Sequence, residues 1–217
     1  VFSTGREGGA LTFGFNAVNL GNMLFRATPL IMTGLSVAVA FKTGLFNIGA
    51  PGQYLMGTLG TLTVGLTLGW SGCPTWIAWI CAFLAGVLLG ALWGAIPGLF
   101  KALLNINEVI TCIMTNWIAA NLVTWWFDAH DAFKNSAEGG KVGYIIPLKN
   151  VGVVTPKWGM DTLFHGSQAN GGFWIACILA IVMWVIMTKT TFGYELRACG
   201  QNRHAAKYAG INDKKNI

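Results

Sequence analysis

The sequence predicts an all-α fold: a polytopic membrane helix bundle with about five spans and a short cytoplasmic coupling helix. Three observations predict it. Charged residues make up only 10% of the chain and hydrophobic residues 54%, whereas soluble domains carry about 25% charge. The hydrophobic residues are gathered into runs long enough to cross a bilayer. The basic residues behind the net charge of +6 stand at the ends of those runs and from Lys189 onward, as in cytoplasmic loops. That placement gives no continuous basic face, so membrane lipid is an expected partner and nucleic acid is not.

Val1 to Leu24 is mixed and glycine-containing, with Arg6 and Glu7 as its only charges. Phe25 to Phe41 is an apolar run of 17 residues, about 26 Å as a helix and just enough for a crossing. Lys42 suits the negative end of that helix and Gly44 can stop it. Next comes GLFNIGAPGQYLMG, Gly44 to Gly57. Gly49, Pro51 and Gly52 break a helix there, and Pro51 belongs at a helix start, because it lacks an amide and clashes one turn back. A second span therefore runs from about Pro51 to Gly69, and the backbone around Asn47 is irregular. Irregular backbone at membrane depth must be buried in protein or line water, which makes Asn47 and Gln53 pathway candidates. A tight turn whose amides cap backbone accounts for the same residues, since turns favour Asn, Gly and Pro.

Trp70 to Thr75 is an uncharged loop. Trp76 to Phe100 is a third span with small residues at Ala78, Ala82, Gly86, Gly90, Gly94 and Gly98. Small residues let helix backbones approach closely in lipid. A four-residue interval advances about 40° per step, so the row winds and the helix is expected to be central, touching more than one neighbour. Lys101 to Glu108 is a short polar interruption, and Val109 to Phe127 a fourth span that contains Asn116, a further pathway candidate, and Asn121. Asp128 to Gly172 is hydrophilic, with four Lys and four acids. Its cluster Asp128-Ala129-His130-Asp131 reads as scattered loop charge; no ligand set has metal spacing. Gly172 to Thr188 is the last span.

From Lys189 the chain carries six basic residues and two acids, which places 189–217 in the cytoplasm. Alternation then puts 128–172 outside, 101–108 inside, 70–75 outside and 42–50 inside. Trp70, Trp76, Trp125, Trp126 and Trp174 all fall at the outer interface on this scheme. Within the tail Asn202 is a good N-cap and Gly210 a good C′ residue. They bracket a short helix with Ala205, Ala206, Tyr208 and Ala209 on one face and Arg203 and Lys207 a turn apart. Two turns cannot hold themselves in water, so something must pack on that face.

The five cysteines form no CxxC pair and read as packing residues. No Asp, Glu, Lys or Arg lies mid-span, whereas ion-coupled carriers place an ionisable residue in the membrane. The sequence shows no GxSxG, HExxH or P-loop, so neither an enzyme nor a cofactor is expected. These features imply a pathway for an uncharged or polar solute, energised from elsewhere.

Three stretches carry a family resemblance: Ala27 to Gly57 (ATPLIMTGLSVAVAFKTGLFNIGAPGQYLMG), Trp93 to Ala119 (WGAIPGLFKALLNINEVITCIMTNWIA) and Thr190 to Ile211 (TTFGYELRACGQNRHAAKYAGI). On these the chain resembles the permease subunit of bacterial ABC importers of the ribose and branched-chain amino-acid type, most closely the simple-sugar and nucleoside permeases. Pro51 stands where many members have an acid, and MTNWIA replaces the more usual MLNYIA. The resemblance implies that 190–211 is a coupling segment seated in a groove of a cytoplasmic ABC ATPase. Gly193, Leu196, Arg197, Ala198, Gly200, Asn202, Ala205, Ala206, Gly210 and Ile211 carry over to it. It further implies an extracytoplasmic solute-binding lipoprotein, a second permease subunit (identical or not) and the bacterial plasma membrane. Family members are longer, so residues 1–217 are expected to be a transmembrane domain truncated at both ends. Two other classes fit less of the sequence: an ion-coupled secondary transporter with a discontinuous helix at 47–52, and a membrane scaffold whose basic tail binds anionic lipid.

Overall fold

The computed structural model describes residues 2–7, 10–15, 17–135 and 145–212. The basic residues Lys214 and Lys215 of the expected cytoplasmic tail, and Glu138 and Lys141 of the long hydrophilic stretch, lie outside the described residues. Five long helices dominate: α1 (Ala17–Lys42), α2 (Ala50–Trp70), α3 (Thr75–Leu104), α4 (Glu108–Ala129) and, after a four-residue α5 (Met160–Leu163), α6 (Gly172–Lys189). Two shorter ones follow, α7 (Thr191–Gln201) and α8 (Arg203–Tyr208). An antiparallel pair, β1 (Phe2–Glu7) and β2 (Ala10–Phe15), precedes them with Glu7 opposite Ala10. The sequence reading assigned that stretch no element.

Helices α1, α3, α4 and α6 are long and apolar enough to cross a membrane. Helix α3, at 30 residues, is about 45 Å long, more than the ~30 Å hydrocarbon core, which a tilt accommodates. The fifth expected span, α2, is 21 residues long but less hydropathic, because threonine and glycine replace aliphatic residues along it. Its hydroxyls are returned to its own backbone: Thr58 donates to the Tyr54 carbonyl at 2.8 Å and Thr61 to that of Gly57 at 2.9 Å. These two hydroxyls are therefore satisfied within the helix itself, whatever apolar surface surrounds it.

The chain divides into two compact units, residues 1–35 with 155–190, and 36–154 with 191–217. In the first, Asn22 on α1 accepts the Gln168 amide at 2.9 Å, and a side chain on Gly21 would collide with Ser167 and Phe164. Here the Lys157 ammonium, 2.6 Å from Asp161 Oδ1, donates a hydrogen bond that holds that carboxyl below the usual range.

The second unit is built around α2, which packs on α3, on α4 and on the 3-10 turn Leu148–Val151. The α2–α3 seam is made of glycine. A methyl on Gly60 would stand 2.8 Å from the Ala85 carbonyl, and one on Gly57 3.2 Å from that of Gly86. Helix α3 touches more than one neighbour, as expected, packing on α2 and on α4, but its small residues face α2. Ala82, Gly86, Gly90 and Gly94 all meet α2, at Gly65, Thr61 and Gly57, and the backbone and side chain of Gln53. Small residues along this row let the two helices approach closely, and α2, which packs on α3, α4 and the 3-10 turn, is the central helix. Pro97 lies inside α3, beyond this seam. At the far end of α2, Leu66, Phe127 and Phe133 form a buried cluster. Trp126 joins it by donating to Thr63 Oγ1 at 3.2 Å, whereas Trp70, Trp76, Trp125 and Trp174 are exposed. Trp126 thus packs on the bundle at this end of α2.

Candidate functional site

The polar residues singled out in the sequence converge where α1 ends and α2 begins. Helix α1 stops at Lys42; the Leu45 amide reaches back to the Ala40 carbonyl at 3.0 Å, with Gly44 left-handed at φ +76°. That is a Schellman ending, and glycine fits it without a side-chain penalty. Pro51 sits in the first turn of α2, so the intervening 43–49 is forced out of helical form, as expected.

Asn116, on α4, clamps this break. Its Oδ1 accepts from the Gly52 amide at 2.9 Å and its Nδ2 donates to the Ile48 carbonyl at 2.9 Å. The Gly52 amide is one of those a helix start leaves unpaired and the Ile48 carbonyl belongs to the irregular backbone just before it, so Asn116 acts as a cap supplied from another helix. Asn47 is partly a cap too, accepting from the Gly49 amide at 2.9 Å. It also belongs to a looser set: Asn47 Nδ2 donates to Ser36 Oγ, Gln53 Nε2 to Asn47 Oδ1, and Ser36 Oγ to Gln53 Oε1, each at 3.4 Å. Bonds of that length lie at the weak end of the range and are readily exchanged for bonds to a ligand.

These three side chains line a cavity of about 230 Å³, with Gly94, Pro97 and Gly98 of α3, Cys112 of α4, and Leu45 and Phe46 of the break among its other walls. Lys101 and Glu108 complete it as an ion pair, Nζ to Oε2, 2.8 Å. The pair is brought together by the short turn between α3 and α4. Asn105 takes the left-handed conformation at φ 52°, Ile106 N bonds the Phe100 carbonyl at 3.3 Å, and Asn107 caps α4 through the Val109 amide at 2.9 Å. The cavity thus offers hydroxyl and amide groups and a self-neutralising charge pair. Chemically, such a lining can hydrogen-bond donors and acceptors without offering a net charge. Beside it, the Trp93 indole nitrogen is buried without a hydrogen-bond partner among the described residues.

Of the pathway candidates, Gln53 and Asn47 line the cavity and Asn116 shapes it. Ser36, Lys101, Glu108 and Cys112 were not singled out. A single serine or cysteine in an apolar run gives no signal, and the ion pair depends on a tight turn the sequence did not reveal.

Among its described residues, 189–212, the tail is helical almost throughout. Asn202 caps α8 by accepting from the Ala205 amide at 3.1 Å, and Gly210 ends it at φ +81° with Ile211 N bonded to the Ala206 carbonyl at 3.0 Å. Of the four residues of the expected apolar face, Ala206 is buried, whereas Ala205, Tyr208 and Ala209 are exposed. Preceding it, α7 buries Gly193, Leu196 and Cys199, one stripe at helical spacing, with Arg197 Nε donating to the Gly193 carbonyl at 3.3 Å. Gly200 packs on the end of α1 so closely that a side chain would collide with the Lys42 carbonyl.

Four helices long and apolar enough to cross a membrane, and a small polar cavity within the second unit, mark a multi-pass membrane protein of the transport class. Residues 19–216 match the family described as the branched-chain amino acid transport system / permease component, and the chain belongs to that family. It is 36% identical to a guanosine ABC transporter permease protein of Bacillus subtilis, over 91% of this chain and 54% of that one. It is 37% identical to a nucleoside ABC transporter permease protein of Lactococcus lactis, over 93% of this chain and 54% of that one. A glucose ABC transporter permease protein of Haloferax volcanii is 32% identical, over 89% and 50%. The chain spans about half the length of these relatives. No solved structure matches it.

Proposed function

We propose that this chain is part of the permease subunit of an ABC importer in the bacterial plasma membrane, forming the pathway for a nucleoside or simple sugar. The observation that carries the reading is the cavity of Ser36, Asn47 and Gln53, polar and uncharged apart from one internal ion pair, in a chain whose relatives are named as nucleoside and glucose permeases. In this reading an extracytoplasmic lipoprotein delivers the solute, and a second permease subunit completes the pathway. Residues 189–217 face the cytoplasm, and α7–α8 dock on an ABC ATPase that supplies the energy. The exposed Ala205, Tyr208 and Ala209 would be the docking face of α8.

The test is uptake by the full-length protein reconstituted with its ATPase and lipoprotein subunits. ATP-dependent accumulation of guanosine or glucose, lost when the ATPase is omitted, is the expected result. Uptake that survives without the ATPase and collapses with the ion gradient would favour the secondary transporter instead.

A further inference from the structure

The charged part of the cavity wall is largely withdrawn from water: the side chains of Lys101 and Glu108 are only 18% and 21% exposed. Charges buried this far are costly unless their remaining donors and acceptors find partners. The contact of 2.8 Å between Nζ and Oε2 leaves capacity on both, because an ammonium carries several donors and a carboxylate several acceptor positions. A hydroxyl suits such a pair, since it can accept from the ammonium and donate to the carboxylate. Two hydroxyls on adjacent carbons can engage both charged groups together, whereas a methylene offers neither of them anything.

The neighbouring wall sets a length. The Gln53 amide rests against Gly94 of α3, its Cδ and Nε2 each 3.1 Å from where a methyl on that glycine would stand. Gly94, Pro97, Gly98 and Lys101 share one face of α3 and all line the cavity. Gly94 and Lys101 are thus two turns apart, about 10 Å, with only proline and glycine between them on that face. A lone sugar ring is too short to touch both polar groups. A nucleoside, in which a flat base extends from the sugar, reaches from one to the other. Amide side chains pair with a base edge that shows a donor beside an acceptor, and Asn47 and Gln53 supply two such amides.

We propose that the Lys101–Glu108 pair is the sugar-hydroxyl subsite of this cavity and that its solute is a ribonucleoside, with the base against Asn47 and Gln53. A ribose, with adjacent 2′ and 3′ hydroxyls, satisfies both charged groups; a 2′-deoxyribose leaves one of them short. The inference rests on the permease reading, whose solute it narrows from nucleoside or simple sugar to ribonucleoside.

The test is equilibrium binding to the full-length permease assembled with its ATPase. The lipoprotein is left out, so that its own selectivity does not enter. Labelled guanosine is compared with labelled 2′-deoxyguanosine, and glucose forms a separate arm. The parent should prefer guanosine on the order of tenfold, as expected of a hydrogen bond to a charged group. Glu108→Gln should largely erase that preference, because the amide is uncharged and no longer holds the ammonium. Gln53→Leu should weaken both nucleosides and keep the preference. General loosening of the site weakens both ligands alike and does not change their ratio. Should Glu108→Gln bind neither, Glu108→Asp decides: a retained preference supports the subsite, and equal or absent binding overturns it. Equal binding of the two nucleosides by the parent, or a preference untouched in Glu108→Gln, also overturns it. Binding of glucose but not guanosine keeps the permease reading and sinks the ribonucleoside; binding of none of the three counts against both.

Discussion

Gly44 and Gly200 meet backbone to backbone: a methyl group on Gly44 would lie 3.1 Å from both the Cα and the carbonyl oxygen of Gly200. The contact joins the end of α1 to the end of α7, and neither residue has room for a side chain. Gly200→Ala must displace the Lys42 carbonyl, and overpacking of this kind costs about 1–3 kcal/mol. A lowered melting temperature of the full-length protein in detergent is expected, together with loss of stimulation of the partner ATPase. An unchanged melting temperature would show that the two helix ends separate freely.

Asn116→Leu should damage the fold more than the pathway. The change keeps the volume but strips partners from the Gly52 amide and the Ile48 carbonyl, and each unpaired buried group costs about 1–3 kcal/mol. Hydrogen exchange at the Gly52 and Gln53 amides should accelerate while the remainder of α2 stays protected.

Gln53→Leu is expected to behave in the opposite way. Its amide makes only 3.4 Å bonds to Ser36 and Asn47, so stability changes little. A lost hydrogen bond to solute, at about 1 kcal/mol, raises the apparent KM for uptake roughly fivefold. Equal losses of stability in Gln53→Leu and Asn116→Leu would remove the distinction drawn between lining and clamping.

Along α3, the cost of a side chain should depend on what it meets. Gly86→Val would collide with Thr61 and come within 3.0 Å of the Gly57 carbonyl, prising α3 from α2 and lowering yield in the membrane. Gly94→Ala meets only the flexible end of Gln53, at 3.1 Å. It should assemble normally and alter transport alone. Expression and uptake, measured on both, separate the two effects.

Asn202→Ala removes the α8 cap, at about 1 kcal/mol, whereas Asn202→Ser keeps an acceptor there. With Arg197→Glu as a charge-reversed companion, the alanine variant should insert normally but stimulate the partner ATPase less, and the serine variant should recover. Full stimulation by all three would argue against coupling through this segment.

What could be read from the sequence alone divides by the range of the signal. Asn202, Gly210, Gly44 and Pro51 act on their immediate neighbours, and each does in the structure what its chemistry demands. Asn47, Gln53 and Asn116 stood out as amides in apolar surroundings, and they do converge. Their division of labour was hidden, because Asn116 serves backbone groups 64 and 68 residues away in the chain. Helix α7 was missed because Thr191, Gly193 and Gly200 weaken its intrinsic preference, and its buried stripe shows only once the packing is known. That the α3 row faces α2 over most of its length depends on how the two helices pack, which a four-residue interval on one helix does not fix.

Pro97 has no amide to give the Trp93 carbonyl, so α3 lacks one rung between the stretch bolted to α2 and the last turn, which bears Lys101. The two ends of this one helix need not move as a rigid rod. A rotation confined to its final turn could swing an ammonium group through several ångströms while the glycine seam stayed shut, which makes the proline the fulcrum about which any motion at that end would turn.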